Sequence, residues 1–382
     1  MLHVIGQLGA GGLENQLHGL LSNMDAHGFD SSVVTFAQGG RFFEPIAALG
    51  VALTALPRRG LHRVRRLAAV LRREHPDVVY AWGTAAMVYG RLAGAFARVR
   101  VVTHDGSTGK LPTELRARLA NLALLPLTAA FICNSERRAQ ELRRRLPVHG
   151  SRIAVIPNGV AVPERMAGEE DAARLRVELS LPGGPIVGCV GRLDRLKNQR
   201  AILDAVRLLE DRGLQASVVL VGRGSSAPEI ETHAAALGIS DRVRLVGEQR
   251  DVWSYLRGFA AFAFPSLLEG MPNALQEALA TGVPCVAADV GDIGRLLDGG
   301  ACGVLTPPGD VAALRDGLWR VLSDQPFAER IGRLGRQRML DHYSMAALVR
   351  RTAVLMERVR KSAPFPFVPL IPAPEAAAAC AS

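Results

Sequence analysis

Two Rossmann-like α/β domains in tandem are predicted by three observations. Short aliphatic strands alternate with helical segments along most of the chain, the alternation breaks once near the middle, and it restarts with a fresh glycine-ended strand. The chain's 382 residues suffice for two cores of ordinary size, and 48% hydrophobic with 21% charged residues describe a globular, aliphatic-rich protein. In the first half, strands are read at residues 2–8, 31–36, 51–56, 77–82, 100–104, 129–133 and 152–156, with helices such as 13–27 and 62–74 between them. In the second of these helices Val64, Leu67, Ala68 and Leu71 share one face, while Arg63, Arg66 and Arg73 lie off it.

The pattern weakens through IPNGVAVPERMAGEE and restarts at Pro185 with PIVGCVG, followed by strands at 185–190, 216–221, 242–246, 260–264 and 284–287. The expected organisation is a first domain over 1–165, a second over 166–340, a helix over 341–361 that crosses back to the first, and a disordered Pro/Ala-rich tail over 362–382, where five prolines fall within eleven residues. Ligands of such sheets sit outside the carboxyl ends of the strands, so two facing halves would form a cleft.

Charge is distributed unevenly. Residues 1–165 hold 21 Lys+Arg against 11 Asp+Glu, and the remainder holds 25 of each, so the whole net charge of +10 lies in the first half. A basic half suits an anionic partner: nucleic acid, acidic lipid or a pyrophosphate-bearing molecule. Candidates for that face are Arg63, Arg65, Arg66, Arg72 and Arg73, with Arg137, Arg138, Arg143, Arg144 and Arg145; a merely solvated basic surface is the alternative. The five cysteines (133, 189, 285, 302, 380) show neither paired nor zinc-like spacing, which fits a reducing cytoplasm. The opening MLHVIGQLGAGG reads as a first strand rather than a leader, and the apolar stretch 119–133 is shorter than the roughly 20 residues a spanning helix needs. No transmembrane anchor is expected.

Four segments carry candidate chemistry. Gly9, Gly11 and Gly12 lie between the first strand and its helix, where backbone N–H groups can meet a phosphate or where glycine simply eases packing. Val190-Gly191-Arg192-Leu193-Asp194-Arg195-Leu196-Lys197-Asn198 repeats the arrangement in the second half, with two cations placed to hold a diphosphate. Lys197 is one of only 3 lysines against 43 arginines, which hints at a compact point charge, although a solvated lysine at a helix start would look the same. In PSLLEGMPNALQE, Pro272 suits the first turn of a helix that Gly282 and Pro284 end, so Glu269 lies in the loop before it and Glu277 projects from it. Two such carboxylates can grip hydroxyls at two places on one ligand. His104 stands at a strand end, where it could bond a substrate hydroxyl or cap a turn. No DxD-type pair occurs on a strand end and no histidine pair has metal spacing, so Arg192 and Lys197 are read as taking the place of a divalent ion, and no metal cofactor is expected.

In order along the chain, GGLE (11–14), CNSE (133–136), VIPNGV (155–160), GRLDRLKN, the segment from Glu269 to Glu277 and ATGVPCVAADVG resemble the retaining GT-B glycosyltransferases of group 1, or family 4. That resemblance implies a second half that binds a nucleotide-diphosphate sugar and a first half that binds the acceptor. Arg192 and Lys197 would neutralise the diphosphate, and Glu277 would hold the ribose. Glu269 with Gly270, Met271, Pro272 and Asn273 would address the sugar, His104 would lie near the reacting carbon, and the Gly11-Gly12 turn would close over the phosphates. Asp292 and Arg295 stand where many relatives carry a glycine and an acid. The run NALQEALATGVPCVAADVGD looks most like enzymes of exopolysaccharide or lipopolysaccharide assembly, whose acceptors are often polyprenyl-pyrophosphate-linked saccharides. A cytoplasmic enzyme, peripheral at the inner face of the membrane, is implied. Competing readings are a GT-B nucleotide-sugar epimerase or phosphorylase-like enzyme, a catalytically silent sugar-nucleotide sensor, and a nucleic-acid binder, the last disfavoured by 5% aromatic content.

Overall fold

The structure, a computed structural model, describes residues 1–9, 11–57, 60–105, 122–148 and 150–361. The expected tail at 362–382, and Lys110, lie outside the described residues. Within them the chain forms two compact units, residues 1–159 with 345–361, and residues 160–344.

The first unit carries β1 (Leu2–Ile5), β2 (Ser32–Thr35), β3 (Ala52–Ala55), β4 (Val78–Trp82), β5 (Arg100–Asp105), β6 (Ala130–Cys133) and β7 (Ile153–Val155). They pair in parallel in the order β3-β2-β1-β4-β5-β6-β7. The second unit carries β8 (Ile186–Val190), β9 (Ser217–Val221), β10 (Val243–Gly247), β11 (Ala261–Phe264), β12 (Cys285–Ala288) and β13 (Val304–Thr306), parallel in the order β10-β9-β8-β11-β12-β13. Each sheet therefore reverses its strand order once, between β1 and β4 and between β8 and β11. Those switch points are where the loops part and leave a crevice. Strand β13 is absent from the sequence-based expectation, because three residues between Gly303 and Pro307 are too few to show a period.

Burial explains the continuous apolar strands. One face of the first sheet packs Leu17, Leu20 and Met24 of the helix Gly12–Met24 together with Leu348, Leu355 and Met356 of the helix Met345–Arg360. The other face packs Val64, Leu67 and Leu71 of the helix Leu61–Glu74, as the period predicts, with Ala86 and Ala93 of Thr84–Ala97. At roughly 1.5–3 kcal/mol for each large apolar side chain removed from water, these layers carry the fold. The side-chain amide of Gln16 fastens the last residue of the first sheet's chain, donating to Gly159 O at 2.9 Å and accepting from Gly159 N at 2.7 Å.

Two members of the expected basic face are part of this packing. Arg63 is buried, its guanidinium over the rings of Phe36 (4.2 Å) and Tyr89 (4.8 Å), with Nε donating to Leu56 O at 3.3 Å. Arg138 is buried against Asp105 and Glu141. A helical period distinguishes polar from apolar letters, and it cannot see that an arginine stem and stacked guanidinium serve as core. The four described cysteines are buried and free, and no helix among the described residues is long and apolar enough to cross a membrane.

Candidate active site

At the carboxyl edge of the second sheet, the chain leaves β8 through Gly191, whose φ of +150° strains any other residue. A Cβ on Gly222, which follows β9, would overlap Gly191 O, so the two loops leave the sheet in backbone contact. Asp194 organises the turn beyond Gly191. Its Oδ1 accepts from Leu196 N at 3.0 Å and Lys197 N at 3.1 Å, and its Oδ2 accepts from Arg192 Nε at 2.7 Å. One carboxylate thus fixes both the turn that presents Lys197 and the direction of Arg192. In the sequence Asp194 shows only as one letter of the motif. Asn198, at φ +53°, then turns the chain into the helix Arg200–Glu210, and Gln199 Nε2 donates back to Arg192 O at 2.8 Å.

The loop after β11 lies against this turn. Leu267 N donates to Leu196 O at 2.7 Å, and Asn198 Nδ2 donates to Pro265 O at 3.4 Å. Across the switch point, Lys197 Nζ makes an ion pair with Glu269 Oε1 and sits 5.2 Å from the centroid of the Phe264 ring. Two residues read separately from the sequence are therefore one buried pair, with Glu269 side chain 3% exposed and Lys197 20%, while Arg192 remains 69% exposed. Gly270 O accepts from Asp292 N at 3.1 Å, and Gly291, at φ +65°, has no room for a Cβ beside Glu269 O. Met271 and Pro272 are buried. Pro272 takes the extended cap position just before the helix Asn273–Ala280 rather than its first turn.

Glu277 projects from that helix, half-buried. Among the described residues no hydrogen bond or ion pair engages its carboxylate, and desolvation pushes it up to about 7. A desolvated, unpartnered carboxylate four residues into a helix that starts at the switch point is a ready acceptor for hydroxyl donors.

The carboxyl edge of the first sheet differs. His104 is 3% exposed, stacked on Trp82 (centroids 4.7 Å apart, 17° between planes), with Nδ1 2.9 Å from Tyr80 OH. Burial lowers it to about 4, so the ring is neutral at physiological pH. Asp105 Oδ1 accepts from Arg138 Nε at 2.9 Å and Nη2 at 2.7 Å. Gly11 caps the helix Gly12–Met24 with extended backbone. The carboxylate of Glu14 folds over it closely enough that a Cβ there would overlap, so this helix start already faces an acid of its own chain. Gly12 is exposed. No group of three His, Cys, Asp or Glu side chains placed to hold a metal occurs among the described residues.

Two parallel-sheet α/β units with this strand order are the architecture of the GT-B fold class. Residues 10–162 match the model of Glycosyltransferase Family 4 and residues 172–338 that of Glycosyl transferases group 1. The chain belongs to the group 1 and family 4 glycosyltransferases. It is 29% identical over 307 residues to the protein EpsF of Bacillus subtilis, covering 76% of this chain and 79% of that one. It is 27% identical over 295 residues to the UDP-Gal:α-D-GlcNAc-diphosphoundecaprenol α-1,3-galactosyltransferase of Escherichia coli, covering 74% and 75%. In fold it is similar to HepE of Anabaena, crystallised with UDP, at a TM-score of 0.83 and 21% identity over 93% of this chain and 99% of that one.

Proposed function

We propose that this glycosyltransferase moves a hexosyl group, with retention, from a nucleotide-diphosphate sugar to a saccharide or lipid-linked saccharide in cell-surface polysaccharide biosynthesis, without a metal cofactor. The observation that carries the reading is the Lys197–Glu269 pair over the β8/β11 switch point, on the same turn as exposed Arg192 and ahead of the helix that bears Glu277, whose carboxylate has no partner among the described residues. A diphosphate entering there would draw Lys197 and Arg192 from their carboxylates. Glu269, released, would accept from sugar hydroxyls, and Glu277 from a ribose. Pre-set cations of this kind stabilise the charge that develops on a departing diphosphate, which is the contribution expected to dominate. The UDP bound by the Anabaena protein and the diphospholipid acceptor of the Escherichia coli enzyme support this choice of substrates. Retention and the roles of His104 and of the Gly11-Gly12 turn rest on the family resemblance.

A panel of nucleotide sugars tests the proposal. The true donor at about 100 times its Kd should stabilise the native protein by about 2.7 kcal/mol, a melting shift of several degrees. Lys197→Ala should abolish that shift and lower kcat/KM by roughly 10²–10³. Equal stabilisation of the variant would remove the assignment, as would turnover lost to a chelator and restored by magnesium. The anomeric configuration of the product, read by NMR, tests retention.

A further inference from the structure

We propose that the cavity at the amino edge of the second sheet is a small-molecule site, separate from the carboxyl edge and built for an anion with an apolar body whose head meets Arg257. The glycosyl-transfer reading above makes no use of this end of the unit, and the proposal stands without it.

The cavity follows from how the chain enters three neighbouring strands. β8, β11 and β12 lie side by side, and the residues that lead into them, Pro185, Ala260 and Pro284, line it together with Ile186 and Phe259. The helices Glu169–Glu178 and Gln325–Arg338 add Ala172 and Ala328. Phe259 is fixed in place: it is 3% exposed, and its ring fills the position a Cβ on Gly188 of β8 would take. Gly168 and Gly183 keep the space open, since each lines it and a Cβ on either would meet nothing within 4 Å. The volume is about 860 Å³, within the roughly 300–1,000 Å³ typical of small-molecule sites.

Three arginines line this apolar space, and two of them are matched. Arg176 pairs with Glu169 and donates to Gly184 O at 3.2 Å, and Arg333 pairs with Glu329 at 3.4 Å. Arg257 is held differently. Asp171 Oδ1 lies 3.6 Å from its Nε, too far for a hydrogen bond, and Asp171 Oδ2 already accepts from Arg165 at 2.9 Å. Nε is buried and has no hydrogen-bond partner among the described residues, while the side chain as a whole is 21% exposed. A guanidinium presents its N–H donors in a planar fork that matches the paired oxygens of a carboxylate, phosphate or sulfonate. A buried donor left without an acceptor costs free energy that a bound oxygen recovers. An anionic head on Arg257 with an apolar body over Phe259, Ile186 and Pro284 satisfies both parts of the lining. A neutral apolar ligand would leave the fork unmade, and a small inorganic anion would leave the apolar floor in water.

The test titrates the full-length protein, by fluorescence, with anilinonaphthalene sulfonate and with phenylnaphthylamine, the same body without the sulfonate. One saturable site per chain is expected for the sulfonate, with an affinity roughly tenfold or more above that of the amine. Gly183→Phe and Gly168→Phe, which put a ring into open space, should each block both probes. Arg257→Leu should lower sulfonate affinity roughly tenfold and leave the amine unchanged, with Arg257→Lys in between. Lys197→Ala, at the opposite edge of the sheet, should leave both probes unaffected. Loss of sulfonate binding in Lys197→Ala, with retention in the glycine variants, puts the probe at the carboxyl edge and overturns the proposal. Absence of saturable binding overturns it too, as does equal affinity for the two probes. Should Arg257→Leu fail to fold because Asp171 loses a neighbour, the glycine variants still decide the location, and the ratio of the two probes on the wild type still decides the charge.

Discussion

The two carboxyl edges are built on the same reversal of strand order and differ in how their arginines are held. At the edge of the first sheet the polar groups are sealed: His104 and Tyr80 are neutral and stacked among aromatics, and Asp105 is held twice by a buried arginine. At the edge of the second, Lys197 and Glu269 form a largely buried pair, but Arg192 is largely exposed, and its partner Asp194 is shared with two backbone amides. The difference teaches what each edge can do. Sealed groups keep one geometry and one protonation state, which suits orientation. Charges near solvent can exchange partners at little cost, which suits capture and release of an anion.

The contrast can be broken most forcefully at its arginines. Arg138→Ala leaves Asp105 buried with both oxygens unpaired, and truncating one partner of such a pair costs about 3–5 kcal/mol. Arg192→Ala removes a pair whose cation already faces water, for which about 0–1 kcal/mol is expected. Chemical denaturation of both variants should therefore show a large loss in the first and almost none in the second, while only the second loses the response to the sugar donor through its contact. Similar stability losses would mean that the two edges do not differ as described.

How much of this is legible in the sequence depends on the scale of the signal. Strands such as IVGCV and SVVLV announce themselves because a parallel strand buried on both faces is apolar throughout, and Gly282 ends its helix as expected. The positions of Arg192, Lys197, Glu269 and Glu277 are legible as a motif. Their pairing is not. Lys197 and Glu269 are 72 positions apart, and only the β8/β11 adjacency brings them together. The same holds for Tyr80 with His104, and for Arg63, whose aromatic partners Phe36 and Tyr89 come from separate segments. Local chemistry is written in neighbouring letters, whereas partner choice is written in the order of strands.

Glu277 sharpens the comparison from the side of protonation. Its carboxyl is raised to about 7 by desolvation, against an ordinary value near 4.5 in the unfolded chain. Between those two values the folded state holds the proton and the unfolded state has lost it, so stability falls as pH rises through this window and is level above it. Glu277→Gln removes that dependence. The variant should melt like the wild type at pH 5 and a few degrees higher at pH 8, corresponding to about 1–2 kcal/mol for a half-buried group. Identical pH profiles would show that the carboxylate is better solvated than its surroundings indicate. His104, lowered from 6.5 to about 4, contributes a slope of the opposite sign, with stability rising with pH between those two values and level above them.

The smallest stability effect is expected on the outer surface of the helix Leu61–Glu74, and there function and stability separate. Arg65 and Arg66 are exposed, while Arg63 between the same turns is core. Arg65→Glu with Arg66→Glu should change stability by no more than about 0.5 kcal/mol, because neither side chain is buried. If the basic first half meets an anionic lipid surface, each reversal removes about 1 kcal/mol of attraction near that surface and adds repulsion, so sedimentation with anionic vesicles at low salt should drop severalfold. Higher salt should erase the difference, since these charges act over no more than about 10 Å at 0.1 M ionic strength. Unchanged sedimentation in a variant that folds normally would assign the charge of this helix to solvation alone, and the search for an acceptor-side surface would move to Arg144 on the helix Glu136–Arg145, which is also exposed.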